Sequence, residues 1–326
     1  MAELQTASVA TEDELEQYRP QLTGYCYRML GSAFEAEDAV QETMLRAWRH
    51  LDQFEGRAAM KSWLYRIATN VCLTMLDGRK RRARPMDLGG PGSATEPHLE
   101  TLPEVTWLEP MPDGRVLAEE SDPVEQALSR ETLRLAFVAA LQHLPARQRA
   151  VLILREVLRW KASEVAELLD TSVASVNSAL QRARMKLAAS DAAADGPARP
   201  LDQADRALLA RYVDAFEHYD IDALVALLHE EATLSMPPYD LWLRGAEELR
   251  CWYLGVGRHC RGSRLVAISA NGSPAFAQYR SSPEGGHAAW ALQVITVSGG
   301  RIVAIDSFLD TERMFPLFGL PLRLET

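Results

Sequence analysis

The feature that most constrains this chain is a break in hydrophobic periodicity between residues 85 and 122. The segment contains "GGPG", nine carboxylates against a single arginine, and six prolines, namely Pro85, Pro91, Pro97, Pro103, Pro110 and Pro112. Proline removes a backbone donor and restricts the residue before it, so neither a long helix nor a regular strand is predicted there. The 326-residue chain is therefore predicted to form separate domains on either side of a polar linker that buries no core.

Both flanks of the linker, residues 12–84 and 123–190, have helical periodicity. In "AEDAVQETMLRAWRHL" the apolar residues recur every three or four positions, at Val40, Met44, Ala47 and Leu51. A second apolar helix, "KSWLYRIATNVCLTML", continues directly into "DGRKRRARP". Two all-α domains are therefore predicted.

Residues 201–326 have a different pattern. Two helical stretches, "QADRALLARYVDAFEHYD" and "IDALVALLHEEA", precede strand-like runs such as "SRLVAISANG" and "HAAWALQVITVS". Short strands bounded by turn residues, after a pair of helices, predict an α+β domain with a mostly antiparallel sheet.

Charge is distributed unevenly along the chain, whose formal net charge is -10. From Arg57 to Arg84, eight Lys and Arg side chains are opposed only by Asp77, and the acidic linker follows immediately. The negative total therefore does not exclude a nucleic-acid partner.

The segment "KASEVAELLDTSVASVNSALQRARMKL" predicts a helix-turn-helix. Ser172 is a suitable N-cap for the second helix, because its hydroxyl can accept a bond from a free backbone N–H. The apolar stripe of that helix is predicted at Val173, Val176, Leu180 and Ala183. Its other face carries the short polar and basic side chains that read DNA grooves, although ordinary helical bundles contain the same motif.

Membrane insertion and secretion are not predicted. The sequence contains no apolar run of about 18 residues, and the first twenty residues are polar and acidic, unlike a signal peptide. We therefore expect a cytoplasmic protein with no membrane partner.

Taken in order, "AEDAVQETMLRAW", "KSWLYRIATNVCLTMLDGRKRR", the acidic linker, "LPARQRAVLILREVL" and the helix-turn-helix strongly resemble the extracytoplasmic-function (ECF) group of bacterial sigma factors. The C-terminal section resembles a SnoaL-like (NTF2-like) cone. The resemblance implies sigma domain 2 at residues 12–84, a linker at 85–122, sigma domain 4 at 123–190 and the SnoaL-like domain at 201–326. It implies core RNA polymerase and promoter DNA as partners.

For domain 2, the resemblance implies docking on the polymerase clamp helices through an exposed helix face formed by Asp38, Gln41, Glu42 and Arg46. The alternative is a solvated face with weak i, i+4 ion pairs. The promoter element nearer the start site would be held by base capture, stacking and phosphate charge. The candidate residues are Phe54, Arg57, Lys61, Arg66, Asn70, Arg79, Lys80, Arg81 and Arg82; for the basic run, the alternative is a solvated tail.

For domain 4, the resemblance implies binding to the polymerase flap and reading of the upstream promoter element. The candidate DNA contacts are Ser172, Ser175, Asn177, Ser178, Gln181, Arg182 and Arg184. Asn177 and Ala179 stand where the family often has Lys or Arg, which implies fewer phosphate contacts. The linker would thread polymerase channels, or its acids merely keep it soluble.

The SnoaL-like cone raises the question of catalysis, since that fold hosts both enzymes and inert modules. The candidate catalytic groups are His229, His287 and Asp306, with Tyr253 or Tyr279 as donor. Each also has a structural interpretation: His229 would end a helix, His287 would begin a strand, and Asp306 would have a capping or turn role. They form no compact acid–base pair in the sequence, so no enzyme activity, cofactor or metal is predicted. A ligand pocket, with an unidentified small molecule, is left open at Met236, Trp242, Trp252, Tyr253, Tyr279, Trp290 and Phe308.

Regulation in cis is the role we predict for the C-terminal domain. The apolar tail "ERMFPLFGLPLRLET" must dock, either on its own cone or on the sigma domains, and the second site is our hypothesis. A SnoaL-type enzyme or ligand sensor tethered to a DNA-binding half is the alternative function. A one-component repressor would need a dimer with paired half-sites, and the two separated DNA modules in one chain speak against it.

Overall fold

The structure is a computed structural model that describes residues 12–51, 60–117, 123–188 and 201–325. The described residues form two compact units. The helical unit comprises the described residues within Met1–Lys80, Gly114–Ser121 and Ala140–Ser190, and the sheet unit comprises those within Arg81–Asp113, Asp122–Ala139 and Asp191–Thr326. No helix in the described part of the chain has the length and apolarity needed to cross a membrane.

The helices of the described residues, numbered in chain order, are α1 (Glu12–Glu16), α2 (Arg19–Leu30), α3 (Ala33–Arg49), α4 (Met60–Leu76), α5 (Pro123–Leu133), α6 (Leu135–Gln142), α7 (Ala146–Leu152), α8 (Ala162–Leu168), α9 (Val173–Ala188), α10 (Gln203–His218), α11 (Ile221–Val225), α12 (Ala246–Leu254) and α13 (Thr311–Leu317). A π-helical turn, Ile153–Val157, follows α7. The helical content of both flanks of the linker confirms the predicted all-α regions.

In the helical unit, α2, α3 and α4 pack around buried aromatic rings. Gly31 ends α2 in the left-handed conformation, and the Ser32 hydroxyl accepts from the backbone N–H of Glu35 to start α3. The Tyr65 ring of α4 lies 5.2 Å from that of Tyr25 on α2. It also lies 5.2 Å from the ring of Trp160, which precedes α8. The first and last helical segments therefore share one core.

Arg149 joins the same helices through hydrogen bonds. From α7 its guanidinium donates to the carbonyl of Met29 on α2, to Gln142 Oε1 at 2.6 Å and to the carbonyl of Leu144 at 3.1 Å. Burial lowers the pKa of Arg149 to about 10. A buried arginine with carbonyl partners fixes the position of α7 against α2, because each lost bond would leave a desolvated donor.

The sheet unit contains β1 (Leu228–Ser235), β2 (Trp242–Arg244), β3 (Arg264–Ala270), β4 (Ser273–Ser281), β5 (His287–Ser298), β6 (Arg301–Phe308) and β7 (Arg323–Leu324). The strand order is β2-β1-β6-β5-β4-β3, with β7 beside β5. Only the β1–β6 pairing is parallel among the described strands. The predicted α+β domain with a mostly antiparallel sheet is confirmed.

Helices α10, α11 and α12 contribute apolar side chains to one core with the sheet. The ring of Tyr212 on α10 lies 5.7 Å from that of Phe276 on β4. The ring of Phe216, also on α10, lies 6.1 Å from that of Tyr253 on α12. The predicted helix "IDALVALLHEEA" is wrong in its second half, since α11 ends at Val225 and β1 begins at Leu228. The cause is tertiary: β6 offers Ile302 as the parallel partner of Leu228.

The C-terminal tail packs on its own domain. Phe315 of α13 makes an edge contact with Tyr279 at 5.1 Å between ring centroids, and the Tyr279 hydroxyl donates to the carbonyl of Pro321. Residues Arg323–Leu324 pair with β5 as β7. The hypothesis that the tail docks on the sigma domains is therefore wrong, and the alternative site, the tail's own domain, is the correct one.

The linker differs from the expected coreless segment. It forms short 3-10 turns at Pro85–Asp87, Glu104–Thr106 and Asp113–Arg115. Trp107, Leu108 and Met111 are buried. The residues from Arg81 to Asp113 belong to the sheet unit, where their buried side chains find the apolar surface that the linker alone cannot provide.

The turn between β3 and β4 holds both the linker and α5. Asn271 Oδ1 accepts from the backbone N–H of Met111 at 2.9 Å, and its Nδ2 donates to the carbonyl of Leu133 at 2.7 Å. The N–H of Gly272 donates to Asp113 Oδ1 at 2.7 Å. Burial raises the pKa of this carboxyl, with the bond from Gly272 acting in the opposite direction. We call these contacts the Asn271 clasp.

The Asn271 clasp predicts an unequal effect of two glycine substitutions. Gly272 and Gly300 both have positive φ, at 65° and 73°. A Cβ on Gly272 would lie 2.7 Å from the Arg130 carbonyl oxygen, whereas one on Gly300 would meet nothing within 4 Å. Gly272→Ala should therefore lower the free energy of unfolding by about 1–3 kcal/mol more than Gly300→Ala. Equal losses in urea unfolding would show that α5 does not pack on this turn.

Candidate functional site

The predicted docking face lies on α3. Its apolar stripe, including Val40 and Met44, is buried, which leaves Asp38, Gln41 and Arg46 exposed on the opposite side and Glu42 half-buried. Glu42 and Arg46 form an i, i+4 ion pair at 2.7 Å. This exposed pair contributes little to stability, so the face is free to serve a partner.

Two further residues of this face were missed by sequence reasoning. Leu45 is 41% exposed and Trp48 is 61% exposed, unlike the buried apolar stripe of α3. Their spacing after Gln41, four and then three residues, places all three on one side of the helix. The signal was available as an apolar pair out of phase with the core stripe. A large exposed tryptophan is typical of an interface.

The predicted strand-binding residues of α4 also lie at the surface. Arg66 and Asn70 are exposed one turn apart, and Lys61 is half-buried. A half-open cavity of about 350 Å³ lies against this helix and the end of α3, lined by Arg46, His50, Trp63, Ile67 and Asn70. Phe54 and Arg57 lie outside the described residues. The cavity brings Asn70, one of the predicted DNA contacts, together with an aromatic ring and two basic side chains.

The basic run separates into two environments. Arg79, Lys80 and Arg81 are exposed, and Arg79 pairs with Glu35 at 2.5 Å. Arg82 is 5% exposed, and its guanidinium donates to the carbonyl of Trp107 at 2.7 Å and to that of Glu104 at 3.2 Å. In this conformation Arg82 holds the linker and is unavailable to a phosphate group, which differs from its predicted role.

The helix-turn-helix is present at α8 and α9, as predicted. The Ser172 hydroxyl accepts from the N–H of Ser175 at 3.1 Å, which confirms the N-cap. Val176, Leu180 and Ala183 are buried, but Val173 is 43% exposed, so its place in the apolar stripe was wrong. All seven predicted DNA contacts of this segment are exposed: Ser172, Ser175, Asn177, Ser178, Gln181, Arg182 and Arg184.

The seven residues of the predicted ligand pocket do not line one place. Trp252, Tyr253 and Met236 pack with the α10–α12 core. Tyr279 lies against the tail. The remaining three are also apart from that core: Trp242 donates to Gly89 O at 2.9 Å, Phe308 is buried opposite Leu292, and Trp290 is exposed beneath Arg280. The set is thus divided between core, linker contact and surface.

The candidate catalytic groups are likewise dispersed. His229 lies on β1, where its Nδ1 accepts from Glu231 N, rather than at a helix end. His287 begins β5 as predicted. Asp306 is buried within β6, where it accepts from the Ser235 hydroxyl at 2.6 Å, so its predicted capping or turn role was wrong.

The interior of the sheet domain contains a chain of side-chain hydrogen bonds. The Tyr212 hydroxyl donates to Gln293 Oε1 at 2.8 Å, and the Gln293 amide donates to Gln278 Oε1 at 2.9 Å. The Gln278 amide in turn donates to the Ser263 hydroxyl at 3.0 Å. Burial raises the pKa of Tyr212 well above its ordinary value. These polar groups satisfy one another, so they have a structural role that does not require a ligand.

One set of side chains has the composition of a metal site. His98 and Glu100 of the linker and Asp240 of the sheet domain place donor atoms within 4.8 Å of one another. His98 and Glu100 are exposed and Asp240 is half-buried. Exposed acidic groups commonly meet in this way, and we assign no metal to them.

Comparison with protein families covers most of the described chain. The family model for Sigma-70 region 2 matches residues 15–82, the model for Sigma-70, region 4 matches residues 134–187, and the model for the SnoaL-like domain matches residues 209–305. The order of the matches agrees with the order of the helical unit's motifs and the sheet domain.

Known proteins resemble the chain over most of its length. The ECF RNA polymerase sigma factor SigG of Mycobacterium tuberculosis is 47% identical over 313 residues, which are 94% of this chain and 82% of SigG. The ECF sigma factor SigJ of the same species is 27% identical over 315 residues and 92% of each chain. The crystal structure of SigJ superposes with a TM-score of 0.61 and 23% identity, covering 96% of this chain and 100% of SigJ.

The two environments of the basic run predict different salt responses. Changing Arg79 and Arg81 to Ala should flatten the slope of log K against log salt for promoter binding with core polymerase by about 1.8, at about 0.9 per lost phosphate contact. Arg82→Ala is the matched control, because its side chain is buried. A flattening of about 0.9 from Arg82→Ala would show that this arginine leaves the linker to bind DNA.

The exposure of the α3 face predicts that it tolerates charge reversal without unfolding. Asp38→Lys with Glu42→Lys should weaken core polymerase binding about tenfold or more, which is about 1.4 kcal/mol, while helicity is retained. Glu14→Lys with Glu16→Lys on α1 makes the same charge change on another helix. A loss of helicity without a loss of affinity would make the α3 residues structural.

Proposed function

The chain belongs to the ECF family of RNA polymerase sigma factors, and from this membership we propose that it binds core RNA polymerase and directs promoter-specific transcription initiation. The sequence features in support are the region 2 and region 4 matches and the 47% identity to SigG over nearly the whole chain. Residues 12–84 and 123–190 are the proposed domains 2 and 4.

The proposed division of labour follows the exposed faces of the helical unit. The α3 face, with Leu45 and Trp48 added to the four charged and polar residues, would bind the clamp helices. Arg66 and Asn70 of α4 and the exposed cations Arg79, Lys80 and Arg81 would hold the opened strand. The exposed face of α9 would read the upstream element. Domain 4 would also contact the polymerase flap.

The C-terminal domain, we propose, regulates this activity in cis by binding the linker. The observation that carries the proposal is the packing of residues 81–113 within the sheet unit. The N–H of Gly92 donates to the carbonyl of Trp242 at 2.8 Å, and the Trp242 indole donates to Gly89 O at 2.9 Å. The N–H of Ala94 donates to Glu248 at 2.9 Å. These bonds hold the start of the linker.

Further contacts hold the middle and the end of the linker. The backbone N–H of Leu102 donates to Pro238 O, and that of Asp240 donates to Glu100 O, each at 3.0 Å. Arg313 of α13 lies 2.5 Å from Glu104 and 3.6 Å from Glu109, which is 1% exposed. The Asn271 clasp then binds Met111 and Asp113.

This docking would compete with any path of the linker through polymerase. A segment whose backbone is bonded to the sheet domain cannot simultaneously follow a polymerase channel. Core polymerase must therefore displace the linker from the sheet domain. The free energy of linker docking on this domain is then subtracted from the free energy of sigma binding to core polymerase. The acidic charge of the linker suits both the sheet domain and a polymerase channel. Its hydrogen bonds to the sheet domain, rather than its charge, would therefore decide which of the two it occupies.

Catalysis by the C-terminal domain is not part of the proposal. The relatives that match 94% and 92% of this chain are sigma factors, and the interior side chains of the domain bond to one another. Turnover of a small polyketide-like or steroid-like compound by the purified chain, without polymerase, would instead favour the alternative of a tethered SnoaL-type enzyme.

Weakening the clasp should release the linker and raise transcription. Asn271→Ala with Arg313→Ala removes bonds to Met111, Leu133 and Glu104, so proteolytic cleavage within residues 85–113 should become faster. At limiting core polymerase, promoter-dependent transcription should rise, and removal of everything after Asp195 should change it further. Arg323→Ala, which breaks the surface pair with Glu284, is the matched control.

Two results would separate the parts of this proposal. Faster cleavage with unchanged transcription would leave the sigma function intact and overturn control in cis. An absence of promoter-dependent transcription from the intact chain with core polymerase would overturn the sigma function itself.

A further inference from the structure

A group of cations lies on the surface of the acidic C-terminal domain. In residues 201–326 sixteen carboxylates oppose eleven arginines, yet "VGRHCRGSR" at 256–264 contains three arginines and a histidine without an acid. The segment forms a 3-10 turn, Val256–Cys260, and the start of β3. Arg258, His259, Arg261 and Arg264 are all exposed.

The fold adds a fourth arginine from another part of the chain. The Gly262 carbonyl accepts from the Ser281 hydroxyl at 2.8 Å and lies 3.2 Å from His287 Nε2. Arg264 pairs across the sheet with Tyr279, the residue before Arg280. The loop therefore crosses the end of the β4–β5 hairpin beside Arg280. Successive strand residues alternate between the two faces, so Arg264 lies on the face of Tyr279 and not on that of Arg280. We call Arg258, Arg261 and Arg280 the guanidinium patch.

Two members of the guanidinium patch are held by aromatic rings. Arg261 lies over the Tyr219 ring at 5.1 Å, and Arg280 lies over the Trp290 ring at 4.0 Å. Tyr219 is itself fixed, since its hydroxyl donates to the carbonyls of Tyr253 and Gly257. A guanidinium stacked on a ring keeps its N–H edge free for an oxygen acceptor. The side chains are thus oriented before any ligand arrives.

Paired arginines elsewhere on the same domain provide the contrast. Arg244 lies 2.7 Å from Glu231, Arg250 lies 3.0 Å from Asp222, and Arg323 lies 2.7 Å from Glu284. Arg264 has Glu217 at 3.8 Å. Within the residues that the structure describes, no carboxylate lies within ion-pair distance of Arg258, Arg261 or Arg280. Oriented cations without counter-charge favour an anionic partner.

We propose that the guanidinium patch binds the phosphate backbone of duplex DNA flanking the promoter elements that the helical domains read. The inference rests on the proposed sigma function, which brings the chain to DNA. Several exposed guanidinium groups suit a row of phosphates better than a single small anion. Because Arg280 covers the Trp290 ring, that face is closed to base stacking, so the contact is independent of sequence.

Such a contact adds to promoter affinity without adding specificity. Its strength depends on salt, through release of counterions from each phosphate, and on the length of DNA available beyond the promoter elements. It also gives the C-terminal domain a point of attachment in the initiation complex that does not depend on its hold on the linker.

The test uses the full chain with core polymerase on two promoter fragments. One fragment extends well beyond both promoter elements, and the other ends at their edges. Arg258→Ala, Arg261→Ala and Arg280→Ala together should flatten the slope of log K against log salt by up to about 2.7 on the long fragment, at about 0.9 per contact. The slope on the short fragment should not change.

The matched control replaces Arg244, Arg250 and Arg323 with Ala, which removes the same charge from ion-paired positions. It should leave both slopes unchanged. The single variant Arg258→Ala, which breaks no ring contact, should flatten the slope on the long fragment by about 0.9 and provides the test if the triple variant unfolds. Replacement of all three by Lys should retain most of the slope.

Several results would overturn the proposal. An unchanged slope on the long fragment for Arg258→Ala and the triple variant would exclude a phosphate contact. Equal flattening on the short fragment would exclude the flanking DNA. The same change in the control variant would assign the effect to net charge. All of these require an active holoenzyme, so failure of the sigma function itself is recognised separately, by the absence of transcription from the unaltered chain.

Discussion

The arrangement of the sheet unit depends on the unsatisfied backbone of the proline-broken linker. Residues 85–113 make only short 3-10 turns, so most of their N–H and C=O groups need partners outside the segment. The C-terminal domain supplies these at its β3–β4 turn, at β2 and at the residues around Pro238. This requirement couples the linker of a sigma factor to its SnoaL-like domain.

Two buried arginines also provide partners for backbone groups. Arg82 in the sheet unit and Arg149 in the helical unit direct their guanidinium groups at backbone carbonyls. Removing either would leave carbonyls desolvated and unpaired. Arg149 brings α7 of the region 4 match against α2 of the region 2 match, so both promoter-reading modules share one unit in this structure. The linker of the sheet unit and the core of the helical unit are thus each held by an arginine that donates to backbone carbonyls.

Charge acts in two opposite ways in this molecule. Arg79, Lys80 and Arg81 are exposed and are proposed to contact phosphate groups, as is the guanidinium patch. Arg82, in the middle of the same basic run, is withdrawn from solvent by the linker. The sequence alone does not distinguish these cases, because a run of like residues has no periodicity that separates a buried member from its neighbours.

The sequence by itself determined the features that repeat locally. Periodicities of three to four residues predicted α3, α4, α8 and α9, and short strand-like runs bounded by turn residues predicted the sheet. The Ser172 N-cap followed from its hydroxyl. The exposure of the α3 and α9 faces could also be predicted. Tertiary structure alone decided the burial of Arg82, the start of β1, the docking of the tail and the contact of the 256–264 loop with Ser281 and His287. Each of these depends on groups far apart in the chain, whose pairing is set by the backbone donors and apolar faces that the other elements leave open.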